Sequence, residues 1–194
     1  MTLTRVAVLV IAIAVAGESE RKSWPLSQAP DELRSVISRA ELVVVAMQGA
    51  VLAELNGPAR QGASAAFGFC HLDAMALAQR VGKSEGIAAG RTSDRLRNPH
   101  NAPRPWAAPL VAAHAGKRAK DVEGFAVDLG DRVGVLRPIV EQPMCAGCHG
   151  PRETIAPAVI DAVRQRYPAD RAIGFKDGDI RGWFWVEMPK TPSR

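Results

Sequence analysis

The sequence predicts an α+β domain, because helical and strand patterns occupy different parts of the chain. Residues 31–55 carry apolar side chains at steps of three and four, the spacing that gives a helix one apolar face. Residues 124–129 and 132–140 instead alternate with a period of two around a Gly-Asp turn, which predicts a β-hairpin. Another strand is predicted over 181–188.

The long helix is the first predicted element. Asp31 and Glu32 lie in its first turn, where negative charge is favourable. The segment Asn56-Gly57-Pro58 predicts its end. The side chains expected on its buried face are Leu33, Val36, Ile37, Ala40, Val44, Met47, Val51 and Leu55.

The elements between this helix and the hairpin are a second helix and a loop. Ser64 is a candidate cap for a helix that runs to about Val81, with Cys70 on its apolar face and His71 about 100° around its axis. Residues 83–109 are rich in Gly, Arg, Asn and Pro and predict an ordered loop. Short helices are expected over 109–120 and 157–166.

Residues 1–16 have the layout of a secretory signal peptide. Arg5 precedes an apolar run, and Ala14-Val15-Ala16 is a small-x-small pattern. The run is shorter than the roughly 20 residues that cross a bilayer. We therefore expect cleavage near Ala16 and a periplasmic or otherwise exported domain over 17–194. The alternative is an uncleaved N-terminal membrane anchor. No later segment looks long and apolar enough, so no membrane span is expected in the mature form.

The composition argues against a nucleic-acid surface. The formal net charge is +5, the basic residues are spread along the chain, and only four Trp and one Tyr could stack on bases. Export also places the chain where paired cysteines usually form disulfides, yet the sequence holds three cysteines. At least one of them therefore has another role.

The motif CAGCH contains two of these cysteines, Cys145 and Cys148, followed directly by His149. Four interpretations compete. A structural disulfide over a two-residue spacer is strained, a thioredoxin-type redox site needs a βαβ setting, and structural zinc needs four ligands. The fourth is covalent haem attachment, with two thioether links to the porphyrin and the histidine on the iron. Both the motif and the predicted export favour this fourth interpretation.

The second axial ligand is left open by the residues alone. Cys70 is the remaining cysteine, and a buried cysteine is more often a small apolar core residue. His71 is its neighbour and the main alternative. The other candidates are His100, His114, Met47, Met75 and Met188.

Five blocks in the same order resemble the family of exported single-haem c-type proteins with a PAS-like fold. Members of that family occur alone or as the extracytoplasmic part of signalling proteins. The resemblance covers about residues 33–189. Its blocks are FCHLDAMALA (69–78), GRTSDRLRNPHNAP (90–103), VLRPIV (135–140), MCAGCHG (144–150) and YPADRAIGFKDGDIRGWFWVEMP (167–189).

This resemblance implies a PAS-like antiparallel sheet with flanking helices and one covalent haem c. It places haem on Cys145 and Cys148, the proximal ligand at His149 and the distal ligand at Cys70. A histidine directly after this cysteine departs from the family pattern and keeps His71 as the alternative. A thiolate ligand would favour the oxidised iron and a low reduction potential.

The arginine-rich loop offers partners for the two haem propionates. Arg91 and Arg97 are the predicted donors, because guanidinium groups bind carboxylates in bidentate fashion. The competing interpretation is that Asn98 and Asn101 only shape the loop through local hydrogen bonds.

The predicted function is a periplasmic mono-haem c-type protein for redox sensing, small-ligand sensing or electron transfer. Its partner would be a redox partner protein or a separate signalling protein, and the long N-terminal helix offers a homodimer contact. The alternatives are a thiol-disulfide redox protein using Cys145 and Cys148, or a haem enzyme of peroxidase type. We expect no enzyme, because the sequence displays no distal acid–base pair.

Overall fold

A single antiparallel sheet organises the computed structural model, which describes residues 21–59 and 87–191. The spatial order of its five strands is β1-β3-β4-β5-β2, and each neighbouring pair runs antiparallel. The strands are β1 Ser23–Pro25, β2 Ala88–Thr92, β3 Phe125–Asp128, β4 Arg132–Val140 and β5 Ile180–Pro189. The helices are α1 Arg34–Ala59, α2 Ala108–Ala113, α3 Ala146–His149 and α4 Pro157–Arg166. The α+β class is confirmed.

Helix α1 follows a 3-10 turn over Asp31–Leu33 and packs on β4 and β5. The predicted apolar face is buried from Leu33 to Val51. The predicted end is wrong, because the helix continues through Asn56-Gly57-Pro58 to Ala59. Breaker residues are a weak signal compared with the packing of the preceding turns on a sheet.

The same helix corrects the expectation that no segment beyond the N-terminus is long and apolar enough to cross a membrane. By length and composition alone, the segment Asp31–Ala53 is long and apolar enough to cross a membrane, with a mean hydropathy of 1.6. In the structure its buried side packs against the sheet, and a core helix of this kind passes the same test. Its outer side leaves Leu42 70% and Val45 64% exposed.

The hairpin of β3 and β4 is confirmed. Asp128 accepts a hydrogen bond from the N–H of Gly130 in the turn, and Gly130 has a φ of 91°, which favours glycine. The strand predicted over 181–188 is β5, and it pairs with β4 along almost its full length. Helix α4 covers the predicted residues 157–166.

The predicted loop over residues 83–109 contains an unpredicted strand, β2. Its glycine obscures the strand pattern, because glycine lowers β propensity. Gly90 is required by packing: a Cβ there would lie 2.7 Å from the ring of Trp185 on the neighbouring strand β5. The edge strand β1 was also not predicted.

Alternation along β5 sends Trp183 and Phe184 to opposite faces, and both are buried. Phe184 lies on the α1 face, whereas Trp183 packs with Trp106 and Leu136 on the other face. The aromatic side chains on both faces of this strand are therefore core residues.

A buried carboxylate ties the segment before α2 to this second face. Glu187 of β5 accepts hydrogen bonds from Trp106 Nε1 at 2.8 Å and from Arg104 Nε at 2.8 Å. The Trp106 ring consequently lies over Gly134 of β4, where a Cβ would come within 2.9 Å of the ring carbons.

We predict that Gly134→Ala destabilises the fold by about 1–3 kcal/mol, because the ring must move away from Glu187 to make room. Gly49→Ala on the exposed side of α1 is the control, since nothing lies within 4 Å of its added Cβ. It should stabilise the helix by about 1 kcal/mol. Urea unfolding measures both changes, and equal effects would contradict this packing argument.

Candidate functional site

The CAGCH motif lies beyond the end of β4, where the chain leaves the sheet. A 3-10 turn over Pro143–Cys145 leads into the single turn of α3, which ends at His149. Residues three apart on a helical turn share one side, so the spacing brings both cysteines to the same side. Both Cys145 and Cys148 are half-buried.

The imidazole of His149 is held in one tautomer. Its Nδ1 lies 2.7 Å from the carbonyl oxygen of Ala172, so Nδ1 carries the proton and donates it. Nε2 is then the nitrogen with a lone pair that can bind a metal. Desolvation, followed by the positive charges of Arg181 and Arg97, lowers the pKa of His149 well below its usual value. The ring is therefore neutral, as a metal ligand must be.

A second chain segment supports the motif from behind. The N–H of Phe175 donates to the carbonyl of His149 at 3.0 Å, and the N–H of Gly174 donates to the carbonyl of Gly150 at 2.8 Å. The Phe175 ring also meets the imidazole edge-on, with ring centroids 6.5 Å apart. Three hydrogen bonds, including the one from His149 Nδ1, thus hold the segment 172–175 to the histidine end of the motif.

An ion pair joins this segment to the arginine-rich loop. Arg97 contacts both carboxylate oxygens of Asp170 at 3.2 Å, and their side chains are only 12% and 10% exposed. The same guanidinium donates to the carbonyl of Cys148 at 2.7 Å and to that of Ala172 at 3.3 Å. Arg97 therefore contacts both the attachment motif and the carbonyl that orients His149.

A small pocket lies beside Cys148. Its volume is about 90 Å³, well below the roughly 300 Å³ at which pockets for whole small molecules begin. Within the described part of the chain it has room for a side group of a larger ligand. Its walls combine apolar and charged side chains from α4 and from the segments around it: Ile155, Ile160, Val163, Ile173, Arg97, Arg152, Arg164 and Asp170.

Glu141 is the most unusual side chain near the motif. It is 1% exposed, and neither carboxylate oxygen has a hydrogen-bond partner among the described residues. Arg181 Nε lies 3.3 Å from one of these oxygens but does not form a hydrogen bond with it. Desolvation raises the pKa of Glu141 to about 7, against the opposing charge of Arg181.

The predicted propionate donors lie in different settings. Arg91 is on β2 opposite Phe184, and its charge contributes to the lowered pKa of His149, so it is within electrostatic reach of the motif. Arg97 already donates hydrogen bonds to Asp170 and to two backbone carbonyls. A propionate contact for either arginine stays a prediction. Asn98 accepts a hydrogen bond from the N–H of His100, as the loop-shaping interpretation expects.

Only some of the predicted distal ligands lie within the described residues. Cys70, its alternative His71 and the second helix lie outside the described residues. Of the remaining candidates, His114 hydrogen-bonds to the carbonyl of Leu110 and packs against aromatic rings, while Met47 and Met188 are buried between α1 and the sheet. Met47 and Met188 are therefore core residues, whereas His114 is half-buried and His100 is exposed, and Met75 lies outside the described residues.

Sequence reasoning missed Glu141, Arg181, Asp170 and Ala172. Only Glu141 carried a visible signal, since it is an acidic residue that directly follows the apolar strand β4. Asp170 and Ala172 act through long-range contacts with a segment more than 20 residues away, which no local pattern shows.

Comparison with known proteins identifies the family to which the chain belongs. A family model named Tll0287-like matches residues 13–189. The chain belongs to the Tll0287-like family. The match spans every described strand and helix, as well as the CAGCH motif.

A solved structure supports the shared fold. The crystal structure of the cyanobacterial heme-protein Tll0287 aligns with a TM-score of 0.59 at 23% identity, over 86% of this chain and 99% of that one. At this identity the likeness shows the fold alone. No curated protein matches the chain.

We predict that Asp170→Asn or Arg97→Ala destabilises the fold by about 3–5 kcal/mol, because one charge would remain buried without its partner. The control is Arg34→Ala, which removes an ion pair with Asp31 whose side chains are 60% and 90% exposed. That change should cost only about 0–1 kcal/mol. Urea unfolding of the three variants checks the difference.

We also predict a pH-dependent stability component from Glu141. Its folded pKa of about 7 lies above the unfolded value of 4.5. Between these values the folded state holds a proton that the unfolded state has released, so stability falls as pH rises and then levels off above about 7. The component is on the order of 3 kcal/mol.

Glu141→Gln removes this component, because glutamine does not titrate. The stability of the variant relative to the unchanged chain should therefore increase from about pH 5 to about pH 8. Urea unfolding at several pH values measures this difference. A difference that stays constant with pH would show that Glu141 does not titrate in this range.

Proposed function

We propose that this protein carries one haem c, bound covalently by Cys145 and Cys148 and ligated by His149. The observation that carries the proposal is the orientation of His149, whose Nδ1 proton is donated to Ala172 while Nε2 keeps its lone pair. The cyanobacterial protein Tll0287, which shares the fold, is a heme-protein, and this supports the same cofactor here.

The residues present fit this group. Two half-buried cysteines on one helical turn are followed by a neutral imidazole, and the pocket beside Cys148 has room for a side group. Haem would supply an iron that exchanges one electron. The chain contributes the attachment points, the orientation of the imidazole and the charges around it.

Those charges affect how readily an electron is accepted. Arg181, Arg97 and Arg91 all lower the pKa of His149, so three positive charges act at this position. Positive charge near a redox centre favours the reduced state, whereas the thiolate expected from Cys70 would favour the oxidised state. The potential is set by the balance between these two influences.

The alternative of a thiol-disulfide redox protein has less support. Thioredoxin-type sites lower a thiol pKa at the start of a helix in a βαβ setting. Here every described strand pair is antiparallel, and α3 is only four residues long. A peroxidase-type enzyme would need an acid–base pair near an open iron site.

We further propose a PAS-like sheet, export to the periplasm after cleavage near Ala16, and a role in electron transfer or in redox or small-ligand sensing. The five antiparallel strands with a helix on one face support the first point. The signal-peptide layout supports the second. The single redox-active group and the lack of a predicted catalytic pair support the third, with a redox or signalling protein as partner.

The decisive experiment is export of the full chain together with a c-type maturation system. The unchanged protein should keep its haem on a denaturing gel, because thioether links survive unfolding. Cys145→Ala with Cys148→Ala should lose that haem signal. A protein that emerges colourless from the maturation system would refute the proposal.

Matched variants identify the axial ligands. Cys70→Ala and His71→Ala should both keep the covalent haem, and the one that removes the distal ligand should change the low-spin absorption and electron paramagnetic resonance spectra. His149→Ala should change them through the proximal side. Unchanged spectra in His149→Ala would exclude it as a ligand.

A further inference from the structure

Glu141 is a buried acid whose carboxylate has no hydrogen-bond donor in the described part of the chain. It lies at the end of β4, four residues before Cys145, and both oxygens are orphaned among the described residues. An ionised carboxylate in this position would lack the hydrogen bonds that normally compensate for burial. Burial costs less free energy for a protonated carboxyl than for an ionised one, so this site favours the protonated form.

The backbone around Glu141 is fixed. Its N–H donates to the carbonyl of Asp179, and its carbonyl accepts from the N–H of Gly178, both at 2.9 Å. These bonds fix the backbone of Glu141 beside the turn that precedes β5. The Asp179 side chain in the same turn is 21% exposed, so solvent reaches the turn that is bonded to Glu141.

Four charged groups face the carboxylate. Arg181 approaches from β5, Asp179 from the preceding turn, and Arg95 and Arg97 from the arginine-rich loop. Three of them are engaged elsewhere: Asp179 with Arg118, Arg97 with Asp170, and Arg95 over a phenylalanine ring. Arg181 is thus the main cation acting on Glu141, and its Nε has no hydrogen-bond partner in the described chain.

Arg181 also links the carboxylate to the motif. It is the charged group with the largest influence on both Glu141 and His149, and Arg97 influences both as well. The carboxylate and the imidazole therefore lie in one electrostatic environment. Both groups respond to the charge of the same guanidinium, and charges in a buried region are weakly screened.

We propose that Glu141 is a proton-binding site whose occupancy follows the oxidation state of the metal centre held by His149. This proposal rests on the proposed function. When one electron arrives from an external one-electron donor, the carboxylate takes up one proton from solvent, and it releases that proton on oxidation. The added negative charge is thereby neutralised within the same buried cluster.

The chemistry of the site supports this step. Desolvation raises the pKa of the Glu141 carboxyl to about 7. One added negative charge nearby raises the pKa further, and near neutral pH this converts the ionised carboxylate to the protonated carboxyl. The reduction potential should then fall as pH rises through neutrality, because proton release leaves a negative charge that disfavours the electron.

The test is the reduction potential of the exported holoprotein, measured by spectroelectrochemistry from about pH 5 to about pH 9. The unchanged protein should show a falling potential around neutral pH. Glu141→Gln should lose this slope, and its potential at alkaline pH should lie above that of the unchanged protein, since it lacks the negative charge.

Glu187→Gln is the matched control. Glu187 is also a buried glutamate, but its oxygens are hydrogen-bonded by Trp106 and Arg104 on the sheet face opposite α1. This variant should keep the neutral slope. A slope that disappears equally in both variants would mean that any buried carboxylate has this effect, and would overturn the assignment to Glu141.

A second measurement needs no variant. The reduced-minus-oxidised infrared spectrum of the unchanged holoprotein should contain a protonated carboxyl band that shifts on labelling of glutamate with ¹³C. Its absence, a potential that does not depend on pH, or a full slope in Glu141→Gln would each refute the proposal. Absence of covalent haem on a denaturing gel would refute the proposed function as well, so the two failures are distinguishable.

Discussion

The buried ion pair of Arg97 and Asp170 holds together three segments that are distant in sequence. The Nη2 group of Arg97, which also contacts Asp170, donates to the carbonyls of Cys148 and Ala172. The first belongs to the attachment motif, and the second is the acceptor that sets the tautomer of His149. Because α3 is a single turn, these contacts with distant segments help to fix the position of His149.

The region around the motif combines excess positive charge with an uncompensated acid. Desolvation and the nearby arginines lower the pKa of His149, while Glu141 lies buried beside Arg181 with no hydrogen-bond partner for its carboxylate among the described residues. Such an arrangement costs stability, because both a desolvated carboxylate and a partly paired guanidinium are unfavourable. Costs of this kind concentrate at functional sites, where a group must be able to change its charge. Glu187, another buried glutamate, accepts hydrogen bonds from Trp106 and Arg104.

Much of the architecture followed from periodic patterns. The buried side of α1, the β3–β4 hairpin, α4 and β5 were predicted with small errors at their ends, because each buries one regular face. Strand β2 was missed, since Gly90 hides the pattern and is needed only because the Trp185 ring covers it. The continuation of α1 through Asn56-Gly57-Pro58 was not predicted, because breaker residues are only a weak signal once a helix packs on a sheet.

The sequence by itself determined most of the strand and helix types and the membership of Cys145, Cys148 and His149 in one motif. Only the tertiary structure decided that Arg97 pairs with Asp170, that Ala172 orients the imidazole, and that Glu141 has no hydrogen-bond partner in the described chain. The reason is physical. Local patterns reflect the periodicity of a segment's own backbone, whereas hydrogen bonding and desolvation depend on which distant segments the folded chain brings beside it.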